Sequence, residues 1–275
     1  MIDRCHPTLS RRARRLAGYT LSLCLILLAV PVRAAVVFSD SFNYANGNLT
    51  TVGAAKWTSL GGTADLIVSN GAALLRPDRA QDVQSTTFAV ANPTTAAFYA
   101  AFDLTVEAVP GGSGNYFAAF NEPPVSGQPS YSARLHIRPV TGSTSTYNLG
   151  LTTSGAADIS WANATYSLNA PLRLVLGYRP EAPNGDRYAT MWVNPTSEAG
   201  FLARVLNANN DEVDRFALRQ PGPTTTNSYG TVRIDNLLIA NDFNDVVAVP
   251  EPAGLLLVAA TALALLQRRR VRSSR

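Results

Sequence analysis

Thiols and imidazoles are nearly absent from this 275-residue chain, which has two cysteines, Cys5 and Cys24, and two histidines, His6 and His136. Beyond Cys24 there is no thiol, and therefore no disulfide, no thiolate nucleophile and no Cys-based metal site. His136 stands alone beyond the N-terminal stretch, which excludes multi-histidine metal chemistry. A Ser-His-Asp arrangement would have to use it, and no Gly-x-Ser-x-Gly elbow accompanies it. Pro110-Gly111-Gly112-Ser113-Gly114 is glycine-rich, but no lysine or helix start follows, so it is a strand connection and not a phosphate cradle. There is no internal repeat and no convincing amphipathic helix.

What is present is concentrated at the two ends. Arg11, Arg12, Arg14 and Arg15 precede the apolar run Leu16–Val30, the charged and apolar regions of a secretory signal peptide. Val32 and Ala34 supply the small residues at −3 and −1, which places cleavage between Ala34 and Ala35. Residues 1–34 are thus expected to leave on export by the general route. At the other end, Val249-Pro250-Glu251-Pro252 runs into the uncharged Ala253–Leu266 and then into Arg268, Arg269, Arg270 and Arg272. The apolar run has 14 residues, against the roughly 17–25 of an ordinary spanning helix. With Gln267 and the stems of the arginines it makes a short transmembrane segment, 253–267. The arginines are expected to stay cytoplasmic, with everything before Pro250 outside. Two prolines hold Glu251 on extended backbone at the membrane surface.

This tail, Pro-Glu-Pro followed by a short apolar segment and an arginine cluster, resembles the PEP-CTERM sorting signal over residues 246–275. The resemblance implies recognition by an exosortase in a bacterial inner membrane, removal of the tail, and delivery of the remainder to the cell surface or an exopolysaccharide matrix.

The two ends also distort the charge balance. The whole chain carries +4, yet residues 35–249 hold 12 Lys and Arg against 17 Asp and Glu, a net −5. An acidic domain without a basic stripe has no electrostatic reason to bind nucleic acid. Its size suits a single all-β domain, 35–245. About twelve β-rich runs alternate with Gly, Pro, Asn and Ser, among them Ala97–Glu107, Asn115–Asn121, Tyr131–Val140, Leu172–Arg179, Arg187–Val193 and Gly230–Ala240. Ser69-Asn70-Gly71 and Pro183-Asn184-Gly185-Asp186 have the composition of tight hairpin turns. The expected fold is an antiparallel β-sandwich or jelly roll, with Asn241–Val249 as a tether.

Alternation along the strands separates the faces. In Tyr131–Val140, Leu135 and Ile137 point one way and Arg134, His136 and Arg138 the other. Three hydrogen-bonding side chains in register are candidates for gripping sugar hydroxyls or carboxylates, against the alternative of a merely solvated face. In Arg187–Val193, Ala189, Met191 and Val193 oppose Tyr188, Thr190 and Trp192, which makes Trp192 a candidate stacking platform or a core residue. Trp57 and Trp161, beside loops, offer the same choice.

Ser39-Asp40-Ser41-Phe42-Asn43-Tyr44 with Gly47, Leu49 and Trp57, and Val232-Arg233-Ile234-Asp235-Asn236-Leu237 at the close, resemble bacterial concanavalin-like (laminin-G-like) jelly rolls over residues 36–245. That resemblance implies two antiparallel sheets with the first and last strands paired, and a carbohydrate-binding or adhesive role without an assigned site. The alternatives are a polysaccharide hydrolase or lyase and a purely structural envelope protein. Hydrolysis needs paired acids, and the Glu-x-Asp-x-x-Glu pattern is absent. Asp211-Glu212-Val213-Asp214 is the dense acid cluster, read as a polar turn. No cofactor is implied; Asp211 and Asp214 are candidate donors to a structural Ca²⁺, without EF-hand spacing.

Overall fold

The computed structural model describes residues 36–62, 64–88, 95–123, 130–153, 158–181, 185–222 and 229–247. The first strands in chain order are β1 (Val36–Asp40), β2 (Gly47–Asn48), β3 (Trp57–Gly62), β4 (Ile67–Ser69), β5 (Ala72–Leu75), β6 (Ala80–Ser85), β7 (Phe98–Ala108) and β8 (Asn115–Asn121). They are followed by β9 (Tyr131–Pro139), β10 (Thr146–Thr153), β11 (Ser160–Trp161), β12 (Tyr166–Ser167), β13 (Leu172–Glu181), β14 (Asp186–Val193), β15 (Ala203–Asn207), β16 (Arg215–Pro221) and β17 (Thr231–Ala240). Two short helices, α1 (Leu49–Val52) and α2 (Phe243–Val247), complete the described elements.

The strands form two antiparallel sheets. Sheet A has the order β15-β14-β13-β7-β17-β5-β4-β2, with β1 also paired to β17, and sheet B the order β11-β10-β9-β8-β16-β6-β3, with β12 also paired to β10. The first strand therefore pairs with the last, antiparallel, from Asp40 opposite Leu237 to Val36 opposite Ala240. Period-2 alternation fills the space between the sheets. Phe98, Phe102, Leu104, Leu174, Leu176 and Met191 come from sheet A, and Phe117, Phe120, Leu135, Ile137, Leu149 and Phe216 from sheet B. Such a core needs no covalent staple.

Turn chemistry follows composition. Asn70 and Gly71 take φ of 51° and 74° between β4 and β5, which only a turn tolerant of positive φ allows. Gly185 does the same before β14, with φ of 74°.

At the start of the sandwich the buried Asp40 collects three donors. The Phe42 N–H reaches Oδ1 at 2.8 Å, while the Tyr44 hydroxyl and Trp57 Nε1 reach Oδ2 at 2.9 and 2.6 Å. Phe42, held at φ of 47°, stacks on Trp57 with ring centroids 5.7 Å apart. Trp57 is accordingly a core residue, 1% exposed.

Two sequence expectations need correcting. Short strands β2, β3, β11, β12 and β15 have no clear alternation in sequence and were not expected. The expected tether from Asn241 is also not a tether as far as Val247. Helix α2 lays Phe243 and Val246 on the outer face of sheet A against Tyr99, Ala101, Val175 and Trp192, so the folded domain runs past 245. Among the described residues no helix is long and apolar enough to cross a membrane. The signal region with Ala34 and Ala35, and the segment from Val249 through Pro250, Glu251, Pro252 and 253–267 to Arg268, Arg269 and Arg270, lie outside the described residues.

Asp40→Ala should lower stability by about 2 kcal/mol or more, because it leaves the buried Trp57 indole N–H without an acceptor and removes the bonds that hold Phe42 and Tyr44. Urea unfolding measures it, and a loss below about 1 kcal/mol would contradict this role.

Candidate functional site

The outer face of sheet B is where chemistry-bearing side chains converge. Leu135 and Ile137 enter the core, and Arg134, His136 and Arg138 stand on the opposite side of β9, as alternation requires. Two bulges then alter the simple pattern. In β8 the register slips between Tyr116 and Ala118, so Phe117 and Ala118 both face the core while Tyr116 stays outside, directly opposite His136. In β9, Asn121 pairs with Tyr131 and Phe120 with Ala133, leaving Ser132 as the extra residue and turning Tyr131 outward. Bulges of this kind re-aim side chains. Here they bring Tyr116 and Tyr131 together at 5.7 Å between ring centroids.

The cross-strand register lines up one row across six strands. Asp82 of β6 lies opposite Arg219 of β16, and the Arg219 guanidinium sits 4.0 Å over the Tyr116 ring. Tyr116 faces His136, His136 faces Gly150 of β10, and Gly150 faces Trp161 of β11. At about 4.8 Å per strand the row is roughly 24 Å long. Gly150 has a steric reason: a Cβ there would stand 2.6 Å from the Trp161 ring. Its absence lets the indole lie down beside His136, at 6.2 Å between centroids. Arg138 then covers Trp161 at 4.1 Å, and Arg134 approaches Tyr116 at 5.7 Å.

Arg219 is fixed by Asp82 at 3.4 Å and by a bond of 3.2 Å to Asn115 Oδ1. Tyr131 donates to Asp82 at 3.1 Å. Burial pushes the Asp82 carboxyl up, against the pull of Arg219. Burial likewise raises the phenols of Tyr116 and Tyr131. His136 moves the other way. It is 8% exposed, and burial, then the charges of Arg134 and Arg219, lower its pKa from 6.5 to about 3. Its Nε2 is buried with no hydrogen-bond partner. Beside it opens a cavity of about 380 Å³ lined by Ser113, Asn115, His136, Arg138, Ile159 and Trp161.

Of the expected ligand-binding residues, Arg134, His136 and Arg138 are together and Trp192 is elsewhere. Trp192 is on the outer face of sheet A, 1% exposed beneath Phe243 at 5.0 Å, with Nε1 donating to the Glu198 carbonyl at 2.8 Å. A buried indole offers no face to a sugar, so Trp192 packs the domain. Trp161, half-buried beneath Arg138, is the indole on the face of sheet B. Tyr116, Tyr131, Asp82 and Arg219 escape sequence reasoning because they join the face only through bulges and long-range pairing.

The acid cluster does not assemble a cation site. Asp214 is taken by Arg215 at 2.8 Å, and Asp211 Oδ2 accepts from Asn207 at 3.2 Å while its carbonyl accepts from the Tyr178 hydroxyl. Among the described residues no group of three His, Cys, Asp or Glu side chains converges on a metal position.

No family model matches this chain, and no curated protein does. Solved structures similar to it include three that cover about three quarters of this chain. An alginate lyase from Alteromonas sp. 272 is 9% identical, over 71% of this chain and 98% of that one, with a TM-score of 0.42. The potassium-bound carbohydrate recognition domain of Emp46p is 12% identical, over 76% and 99%, with a TM-score of 0.43. The CBM2 module of the evolved Dit protein of Lactobacillus casei BL23 phage J-1 is 14% identical, over 76% and 97%, with a TM-score of 0.47. At these values the likeness says nothing about what this chain binds.

Because folding holds His136 neutral, protonation opposes the folded state. The unfolded chain binds the proton below about 6.5 and the folded chain only near 3, so this group makes stability fall as pH drops through that window. His136→Gln should flatten that part of the profile in thermal melts at stepped pH. An unchanged profile would contradict the burial argument.

Proposed function

We propose that this is an exported glycan-binding protein and that the outer face of sheet B is its binding surface. The supporting observation is the transverse row itself: aromatic rings at Tyr116 and Trp161, fork-shaped donors at Arg134, Arg138 and Arg219, and a cavity beside the buried imidazole of His136. Sugar recognition uses directed donors for the pyranose oxygens, and here the rings of Tyr116 and Trp161 hold the Arg219 and Arg138 guanidiniums in place to supply them.

The full chain, in mild detergent, should be retained on a glycan array or on the exopolysaccharide of its source. Trp161→Ala or Tyr116→Ala should weaken retention about tenfold, by analogy with the loss of a well-packed aromatic contact. Retention that neither substitution changes would remove the face from the reading.

A second reading, cleavage of the bound glycan by elimination, rests on His136. The imidazole lies 5.5 Å from the Tyr116 ring, an imidazole–phenol pair, but burial, Arg134 and Arg219 lower its pKa to about 3 and make it a weak base, so this reading ranks below binding. Hydrolysis fits less well, because the acid of this row, Asp82, is occupied by Arg219 and Tyr131. Time-dependent appearance of a new unsaturated sugar end, abolished in His136→Gln, would replace binding by elimination.

The delivery route belongs to the same proposal. An exosortase acting at Val249-Pro250-Glu251-Pro252, after transient anchoring in the inner membrane, would pass the domain to the cell surface or extracellular matrix. Replacing Pro250, Glu251 and Pro252 by Ala should leave uncleaved protein in the inner membrane, and undiminished release would sink the sorting route.

A further inference from the structure

We infer, on the basis of the glycan-binding reading above, that the glycan carries carboxylate groups, and that Arg134 and Arg138 receive them. The argument begins with how the domain spends its arginines. Arg76, Arg79, Arg173, Arg179, Arg204, Arg215, Arg219 and Arg233 each stand in an ion pair with Asp or Glu. This is the expected outcome in a domain where acids outnumber bases. Arg187 is buried over the Tyr178 ring, and Arg134 and Arg138 differ from all of these: on the outer face of sheet B, among the described residues, neither has a carboxylate within ion-pairing distance.

They are also the two that bracket His136 on one face of one strand, about 13 Å apart at four residues' separation. Both are held in place without being neutralised. Arg134 Nε donates to the Tyr131 carbonyl at 2.9 Å and its guanidinium lies by Tyr116, while Arg138 lies over Trp161. A guanidinium packed over a ring keeps its charge and its in-plane donors, and its rotamer freedom is already reduced. Such a fork matches a carboxylate in two parallel hydrogen bonds, which a neutral hydroxyl cannot reproduce. Arg219 adds a third positive charge over Tyr116 and is partly offset by Asp82. The face is thus locally cationic within a domain whose net charge over residues 35–249 is −5. Repulsion from the rest of the domain disfavours nonspecific polyanions, and short-range pairing at the two arginines selects those with carboxylates at the right places.

The experiment compares four probes against the full chain in mild detergent: polygalacturonate, polymannuronate, and each polymer with its carboxyls reduced to primary alcohols. The inference expects one or both acidic polymers to bind and the matching reduced polymer to bind at least about tenfold more weakly, with affinity falling as salt is raised. Arg134→Gln and Arg138→Gln should each cost a similar factor on the acidic polymer, and Arg138→Lys should recover part of it. Thermal melts verify that the variants fold. Equal affinity for the acidic and reduced forms would overturn the carboxylate inference and leave the glycan-binding reading standing. Failure of all four probes, with a neutral glycan bound instead on an array, would do the same. Binding of an acidic polymer that neither Gln substitution changes would overturn the assignment to these two arginines.

Discussion

The sandwich depends on a single buried carboxylate at its opening strand. Asp40 is the last residue of β1, and β1 is held at the middle of sheet A by pairing with β17. Without a thiol in the domain, no cross-link keeps the first strand in place. Asp40 supplies that hold by accepting from the Phe42 backbone, the Tyr44 phenol and the Trp57 indole. The Phe42 conformation, costly for a non-glycine residue, is sustained by this bond and by the stack on Trp57. Because Trp57 opens β3, the edge strand of sheet B, the same carboxylate links the centre of one sheet to the rim of the other.

The two outer faces start from similar materials and end differently. Each has a tryptophan lying over a glycine, Trp192 over Gly177 in sheet A and Trp161 over Gly150 in sheet B. In sheet A, α2 and the segment carrying Glu198 cover the indole, and the result is a second small core. In sheet B no described element lies over the ring, and bulges at Phe117 and Ser132 crowd further aromatic and cationic groups around it. The difference between the covered face and the one left without an overlying element among the described residues is thus made by one short helix and two inserted residues.

Much of the fold was legible in the sequence, since strands such as Leu172–Arg179 alternate cleanly and Asn70-Gly71 announces its turn. The pairing of first and last strands followed from the resemblance at the domain's edges. Of the candidate site, Arg134, His136 and Arg138 were legible because three alternate positions on one strand need only period 2. Tyr131 was not: simple alternation groups it with Leu135, and the extra residue Ser132 reverses it. Arg219 and Asp82 meet through pairing of strands more than a hundred residues apart, which no local pattern encodes. Trp192 looked available because the helix that covers it offers only Phe243 and Val246 as apolar anchors, too few to stand out from a linker.

Helix α2 also fixes an orientation. The last described residue, Val247, lies against the outer surface of sheet A, on the side of the sandwich opposite the row from Asp82 to Trp161. The described chain therefore ends on the face opposite the cationic, aromatic surface. Packing at the carboxyl end of the described domain and the side chains of the row thus occupy separate surfaces of the sandwich.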